Sequence, residues 1–173
     1  MTDRPPVNDA SLDINERLAV RGDHHCFGCG RENPHGLKLT FFSADDGGVR
    51  CAWTPSRVNE GFDGIAHGGI ITTVLDEVMG WAVYRQQFWA VTGKISVNFR
   101  RPVVIGVPTR AAARVVAENG RRITITADLH RTSDGQLLAD AEAMFFKVSE
   151  DRARAWQDRY IDPAAWGGPA LPA

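Results

Sequence analysis

The chain has 173 residues, 43% hydrophobic and 24% charged, with a formal net charge of −1. That size suits one domain with extensions, long enough to bury a sizeable core. The balanced charge gives no electrostatic case for nucleic acid or an anionic membrane, no apolar run is long enough to span a bilayer, and three cysteines do not suggest a disulfide framework.

In chain order, "MTDRPPVNDA" (1–10) is polar and has no signal-peptide core, so a cytoplasmic location is expected. Residues 1–9 read as disordered, and "SLDINERLAV" (11–20) as a short helix. "DHHCFGCGRENPHG" (23–36) is a loop by its Gly, Pro and Asn content. "LKLTFFS" and "VRCAWTP" flank "ADDGG", a hairpin pattern. The loop "SRVNEGFDGIAHGG" then leads into a helix on which Ile70, Ile71, Val74, Leu75, Val78, Met79, Ala82 and Val83 recur nearly all round, as expected of an enclosed helix. "GKISVNFR" alternates as a strand, with Ile95, Val97 and Phe99 on one face. "TRAAARVVAE" and "RRITITADLH" are joined by Asn119-Gly120, a two-residue hairpin signal. "SDG" (133–135) turns the chain into "QLLADAEAMFFKV", where Ala139, Ala141 and Ala143 share a face that lets a thick element press close. A helix around "DRARAWQDRY" and a Pro/Gly-rich end complete the chain. The economical architecture is α+β, a curved antiparallel sheet wrapped around one long helix. The expected divisions are an N-terminal extension with the Cys-containing loop (1–35), a central domain (36–149) and a C-terminal helical tail (150–173).

Asp76 interrupts the apolar helix. At about 100° per residue, Gly69, Thr72, Thr73, Asp76 and Gly80 fall on one small, polar stripe, with Gly69 within roughly 20° of Asp76. Gly68 and Gly69 stand at the helix start, where free N–H groups make an oxyanion or anion site. Asp76 follows about 10 Å along the axis, and Glu77, turned by about 100°, need not share its cavity. The plainer alternative is a satisfied mid-helix Asp behind a flexible His67-Gly68-Gly69 entry.

Cys26 and Cys29, with His24, His25 and His35 nearby, could supply four zinc ligands. A second Cys pair is missing, and the other reading is a packed loop with two thiols. No cofactor is expected. Any zinc would be structural, because the pair lies outside the helix face that carries Asp76.

His67-Gly68-Gly69, Asp76 seven residues on and "TGKISVNFRRPV" together resemble the hotdog-fold acyl-CoA thioesterases. The similarity is to the phenylacetyl-CoA thioesterase-like group of the 4-hydroxybenzoyl-CoA thioesterase superfamily, over about residues 36–149. "GFDGIAHGGIITTVLDE" is its specific portion. The resemblance implies a hotdog thioesterase domain over 36–149 and an acyl-CoA substrate. In it, Asp76 matches the general base or nucleophile, Gly69 the N–H donor to the thioester carbonyl, His67 a positioning group and Thr92 an assisting hydroxyl. Gly68, Arg100 and Arg101 are then substrate-binding candidates, the arginines for CoA phosphates. It also implies a homodimer or a dimer of dimers (homotetramer), with sites between chains. One departure is Gly61, where many relatives carry Asn. A non-catalytic acyl-CoA binding module and a hotdog dehydratase or hydratase remain as alternatives.

Overall fold

The apolar spacing at residues 70–83 becomes the central helix α1 (Gly68–Arg85) of the computed structural model, which describes residues 15–162. The strands are β1 (Asn15–Arg17), β2 (Phe41–Ser43), β3 (Val49–Trp53), β4 (Glu60–Phe62), β5 (Ile65–Ala66), β6 (Ala90–Phe99), β7 (Thr109–Asn119), β8 (Arg122–Arg131) and β9 (Leu137–Lys147), and helix α2 (Glu150–Tyr160) follows. Seven strands form one antiparallel sheet in the order β1-β2-β3-β7-β8-β9-β6, while β4 and β5 make a separate small hairpin. No helix among the described residues is long and apolar enough to cross a membrane.

Strands β2, β3, β6, β7, β8 and β9 all touch α1. The sheet can close so far round a helix because its inner face is shallow. One row runs across five strands as Val49, Ala113, Ala127, Ala141 and Val97, each opposite the next. Against this row α1 packs Val74, Leu75, Val78 and Met79, all at 0% exposure. The α+β hotdog arrangement expected from the sequence is therefore the fold observed.

Several local expectations change. The helix expected over 11–20 is instead a strand at Asn15–Arg17, paired with β2; residues 11–14 lie outside the described residues. Pairing along the sheet edge outweighs the local helical pattern there. The segment ahead of α1 is more ordered than a loop, with a 3₁₀ turn at Arg57–Asn59 and the β4–β5 hairpin. In the β7–β8 hairpin Asn119 pairs with Arg122, so the connecting residues are Gly120 and Arg121, with Gly120 at φ 59°. The turn thus sits one residue later than Asn119-Gly120. The disordered start expected over 1–9 and the Pro/Gly-rich end at 163–173 lie outside the described residues.

The segments flanking the central block meet each other. Val20 bridges Ile161, and the N–H groups of Arg21 and Asp162 bond to the carbonyls of Tyr160 and Ala19 at 2.8 Å each.

If the alanine row sets how closely α1 approaches, Ala141→Leu should destabilise the fold by about 1–3 kcal/mol through overpacking. Urea unfolding at neutral pH measures this, and an unchanged midpoint would show that the row does not limit the approach.

Candidate active site

The helix start is held by backbone bonds before any side chain acts. Ala66 N–H donates to Val103 O and His67 N–H to Asn59 O, at 2.8 Å each. His67 is the N-cap of α1, at φ −65° and ψ 135°, and its Nδ1 accepts the Gly69 N–H at 2.9 Å. That leaves the neutral ring's proton on Nε2. The Gly69 N–H, expected to be free, is therefore engaged by the imidazole in this structure. A β-carbon at Gly61 would lie 3.0 Å from His67 Cα and 3.1 Å from its Cδ2, so a side chain there would crowd the ring. At Gly68 a β-carbon would lie 3.3 Å from the Phe99 ring, so the helix start packs on the end of β6.

About two turns beyond, the Thr92 hydroxyl donates to Asp76 Oδ1 at 2.7 Å. The register of β6 against β9 shifts between Thr92 and Lys94, and at Gly93 a β-carbon would come within 2.4 Å of the Phe146 ring. This irregularity sits where β6 aims Thr92 at the helix. Burial raises the Asp76 pKa, the Thr92 hydrogen bond lowers it, and charge on Cys26 raises it again. Thr72 and Thr73 share the stripe but donate back to Gly68 O and Gly69 O at 2.9 Å each.

Asp76 and Thr92 open into a cavity of about 610 Å³. Trp81, Tyr84, Trp89, Phe145, Trp156 and Tyr160 supply aromatic walls. Trp156 and Tyr160 come from α2, and Trp89 Nε1 donates to Gln157 Oε1 at 3.0 Å, tying that wall to the base of β6.

Glu77 lines the same cavity, contrary to the helical-wheel expectation. The cavity wraps round more than one face of α1, so a turn of about 100° does not carry Glu77 out of it. The Cys26–Cys29 loop is also a wall of this cavity, not separate from it. Glu77 Oε1 accepts from Trp81 Nε1 at 3.3 Å and lies 3.5 Å from Cys26 Sγ, close enough to share a proton. Burial, then the Cys26 charge, pushes Glu77 up to about 7. Cys26 is held down to about 5, first by the Cys29 thiol donating to its sulfur. The same bond, seen from the donor, pushes the Cys29 thiol up.

Within one chain, then, the structure brings Asp76 to Thr92 and His67 to Gly69, while His67, Gly68 and Gly69 are not among the cavity walls. Arg100 is tied to Asp140 at 2.5 Å, with Asn98 on the second carboxylate oxygen at 2.8 Å; Arg101 is exposed. Sequence reasoning missed Gly93, Glu77 and the aromatic walls. Only the aromatics left a visible trace, in the spacing of Trp81, Tyr84, Phe88 and Trp89.

The family model described as Thioesterase superfamily matches residues 63–138, a span that holds α1 and β6–β8 with Asp76 and Thr92. The matched span lies inside the hotdog fold described above. The domain's likeness extends to solved structures. The thioesterase superfamily protein RHA08564 is 30% identical with a TM-score of 0.66, over 70% of this chain and 62% of that one. The smu.793 protein of Streptococcus mutans UA159, solved bound to acetyl CoA, is 22% identical with a TM-score of 0.60, over 64% of this chain and 89% of that one. The acyl-coenzyme A thioesterase THEM4 of Xenopus laevis is 24% identical over 108 residues, 62% of this chain and 49% of that protein. The chain spans about half the length of the curated relatives it matches.

Because the folded Asp76 pKa lies above its unfolded value, the group's contribution to stability is fully present at low pH and is lost as pH rises through the folded value. Ionised Asp76 therefore works against the fold at neutral pH. Asp76→Asn, whose amide oxygen can still accept from Thr92, should raise the thermal midpoint at pH 7, with the advantage shrinking toward pH 3. An advantage that grows on acidification would contradict the raised pKa.

Proposed function

We propose that the protein hydrolyses an acyl-CoA thioester to the free acid and CoA. The observation that carries this reading is the Asp76–Thr92 pair, 2.7 Å apart, opening into an aromatic-walled cavity within a thioesterase-superfamily domain. The volume is of the size that buries a small ligand, and its walls suit an apolar acyl group. The acetyl CoA bound to the smu.793 protein and the name of the THEM4 relatives agree with the ligand class.

A carboxylate partly withdrawn from water is a stronger base than an exposed one. Asp76 either takes a proton from water attacking the thioester carbon, or attacks that carbon itself to give a mixed anhydride that water then hydrolyses to the free acid; in both cases the thiolate of CoA leaves. Thr92 holds the carboxylate in one orientation by donating to Oδ1. The carbonyl oxygen gains negative charge and is met by the Gly69 N–H at the positive end of α1. His67 now occupies that N–H, so the substrate oxygen must displace Nδ1 or share the donor with it. Arg101, exposed near the end of β6, is placed to meet CoA phosphates, while Arg100 already has Asp140 as a partner.

Two chains are needed for this chemistry. Gly69 and Asp76 are about 10 Å apart along one helix, too far to act on one carbonyl. Among the described residues, strand β6 ends the sheet, pairing only with β9, and leaves a backbone edge free beside Val91 and Phe99, which are 46% and 55% exposed. A homodimer, or a dimer of such dimers, covers that edge and sets His67 and Gly69 of one chain against Asp76 and Thr92 of the other.

Thiol release from a panel of acyl-CoA esters tests the activity. Wild type should hydrolyse at least one ester, and Asp76→Ala should lose about 10²-fold or more in kcat while staying folded. A folded, fully active Asp76→Ala would remove Asp76 from the chemistry. The shared site is tested by mixing His67→Ala with Asp76→Ala, each first confirmed as nearly inactive. Half the dimers should be mixed and each should hold one intact site, restoring about a quarter of wild-type sites. No recovery despite verified subunit exchange would place each site within one chain.

A further inference from the structure

Cys26, Cys29 and Glu77 take no part in the proposed thioester chemistry, yet the chain is shaped to bring them together. Their ligand atoms all lie within 4.8 Å of one another, although Glu77 stands 51 positions beyond Cys26. The loop that carries the thiols folds as a tight knuckle. Gly30 N–H bonds back to Cys26 O at 2.9 Å, Leu37 N–H to Phe27 O at 2.7 Å and Leu39 N–H to Gly28 O at 2.9 Å. Lys38 Nζ donates to the carbonyls of Gly30, Arg31 and Asn33, holding the far side of the loop. Two glycines make the approach possible. A β-carbon at Gly28 would fall 2.4 Å from Glu77 Cδ, and one at Gly30 would fall 2.2 Å from His24 O and 2.5 Å from Cys26 N.

The cluster gathers three acidic donors in a largely enclosed place, and among the described residues no lysine or arginine pairs with Glu77. Buried anionic groups need a cation or each other's protons. We propose that Cys26, Cys29 and Glu77 bind one zinc ion that clasps the 23–36 loop onto α1 and closes one end of the cavity. Two thiolates and one carboxylate select zinc over magnesium or calcium. The spacing also fits. Zinc–sulfur and zinc–oxygen bonds of about 2.3 and 2.0 Å at a tetrahedral angle put the two ligand atoms about 3.5 Å apart. Cys26 Sγ and Glu77 Oε1 are 3.5 Å apart.

Three protein ligands leave a fourth position, and the cavity is where it opens. His24 lines that cavity at 4% exposure, with Nδ1 accepting the Cys26 N–H at 3.3 Å and Nε2 lacking any partner among the described residues. The tautomer that accepts at Nδ1 carries its proton on Nε2. A water on the zinc supplies the acceptor which this buried donor lacks. The site is independent of the acyl-CoA reading, since zinc binding is measured without substrate.

The test is elemental analysis of the full chain, purified under reductant, exposed to excess zinc and then desalted, with X-ray absorption on the same sample. The expected result is one zinc per chain, with two sulfur ligands at about 2.3 Å and two oxygen or nitrogen ligands at about 2.0 Å. Glu77→Gln, confirmed as folded by circular dichroism, should weaken zinc binding by at least about 100-fold, more than losing a group that merely supports a ligand. His25→Ala and His35→Ala should bind as wild type does. Substoichiometric zinc, a shell of four sulfurs, full affinity in Glu77→Gln or loss in either histidine variant would each overturn the assignment. If the Glu77 variant does not fold, the ligand count on wild type decides alone.

Discussion

The close approach of α1 to the alanine row of the sheet is the contact on which the other features rest. Val74, Leu75, Val78 and Met79 are each fully removed from water against it. Burying side chains of this kind is worth about 1.5–3 kcal/mol each. Enclosure on that scale leaves a polar side chain on α1 few ways to reach water, so Asp76 and Glu77 must face whatever cavity the sheet leaves open. The cavity and its acids are thus one consequence of packing a helix inside a curved sheet.

The two neighbouring carboxylates are resolved by different means. Asp76 is met by the short hydroxyl of Thr92, delivered by an adjacent strand at an irregularity in its pairing. Glu77 is met by the indole of Trp81, one turn along the same helix, and by a thiol from a distant loop. The first arrangement engages Oδ1 of Asp76, a residue that lines the cavity. The second surrounds the carboxylate with soft, polarisable donors. Adjacent residues thereby acquire separate chemistry without separate pockets.

Much of the fold could be read from the chain because it rests on short-range periodicity. The apolar cylinder at 70–83, the alternation at 95–99 and the alanines at 139–143 each reappear in place. Residues 15–17 could not be read this way, because their strand exists only by pairing with β2, some 25 residues away. The Asp76–Thr92 contact could not be read from local pattern, since nothing in the strand's own spacing says which hydroxyl will meet the helix. The Cys26–Glu77 contact left no trace, because it depends on loop closure across half a domain. Gly61 and Gly93 had reasons that lay in their neighbours, the His67 ring and the Phe146 ring, and not in their own conformations.

The join between the two outer segments, Val20 against Ile161, places the loop with His24 and the helix with Trp156 and Tyr160 on the same side of the cavity. These parts fall outside residues 63–138, which carry the superfamily pattern. The cavity is therefore composite, with Trp81, Tyr84 and Trp89 supplied from inside that stretch and His24, Trp156 and Tyr160 from outside it. A substitution in either outer segment can thus reshape one side of the cavity without touching the Asp76–Thr92 contact on the other.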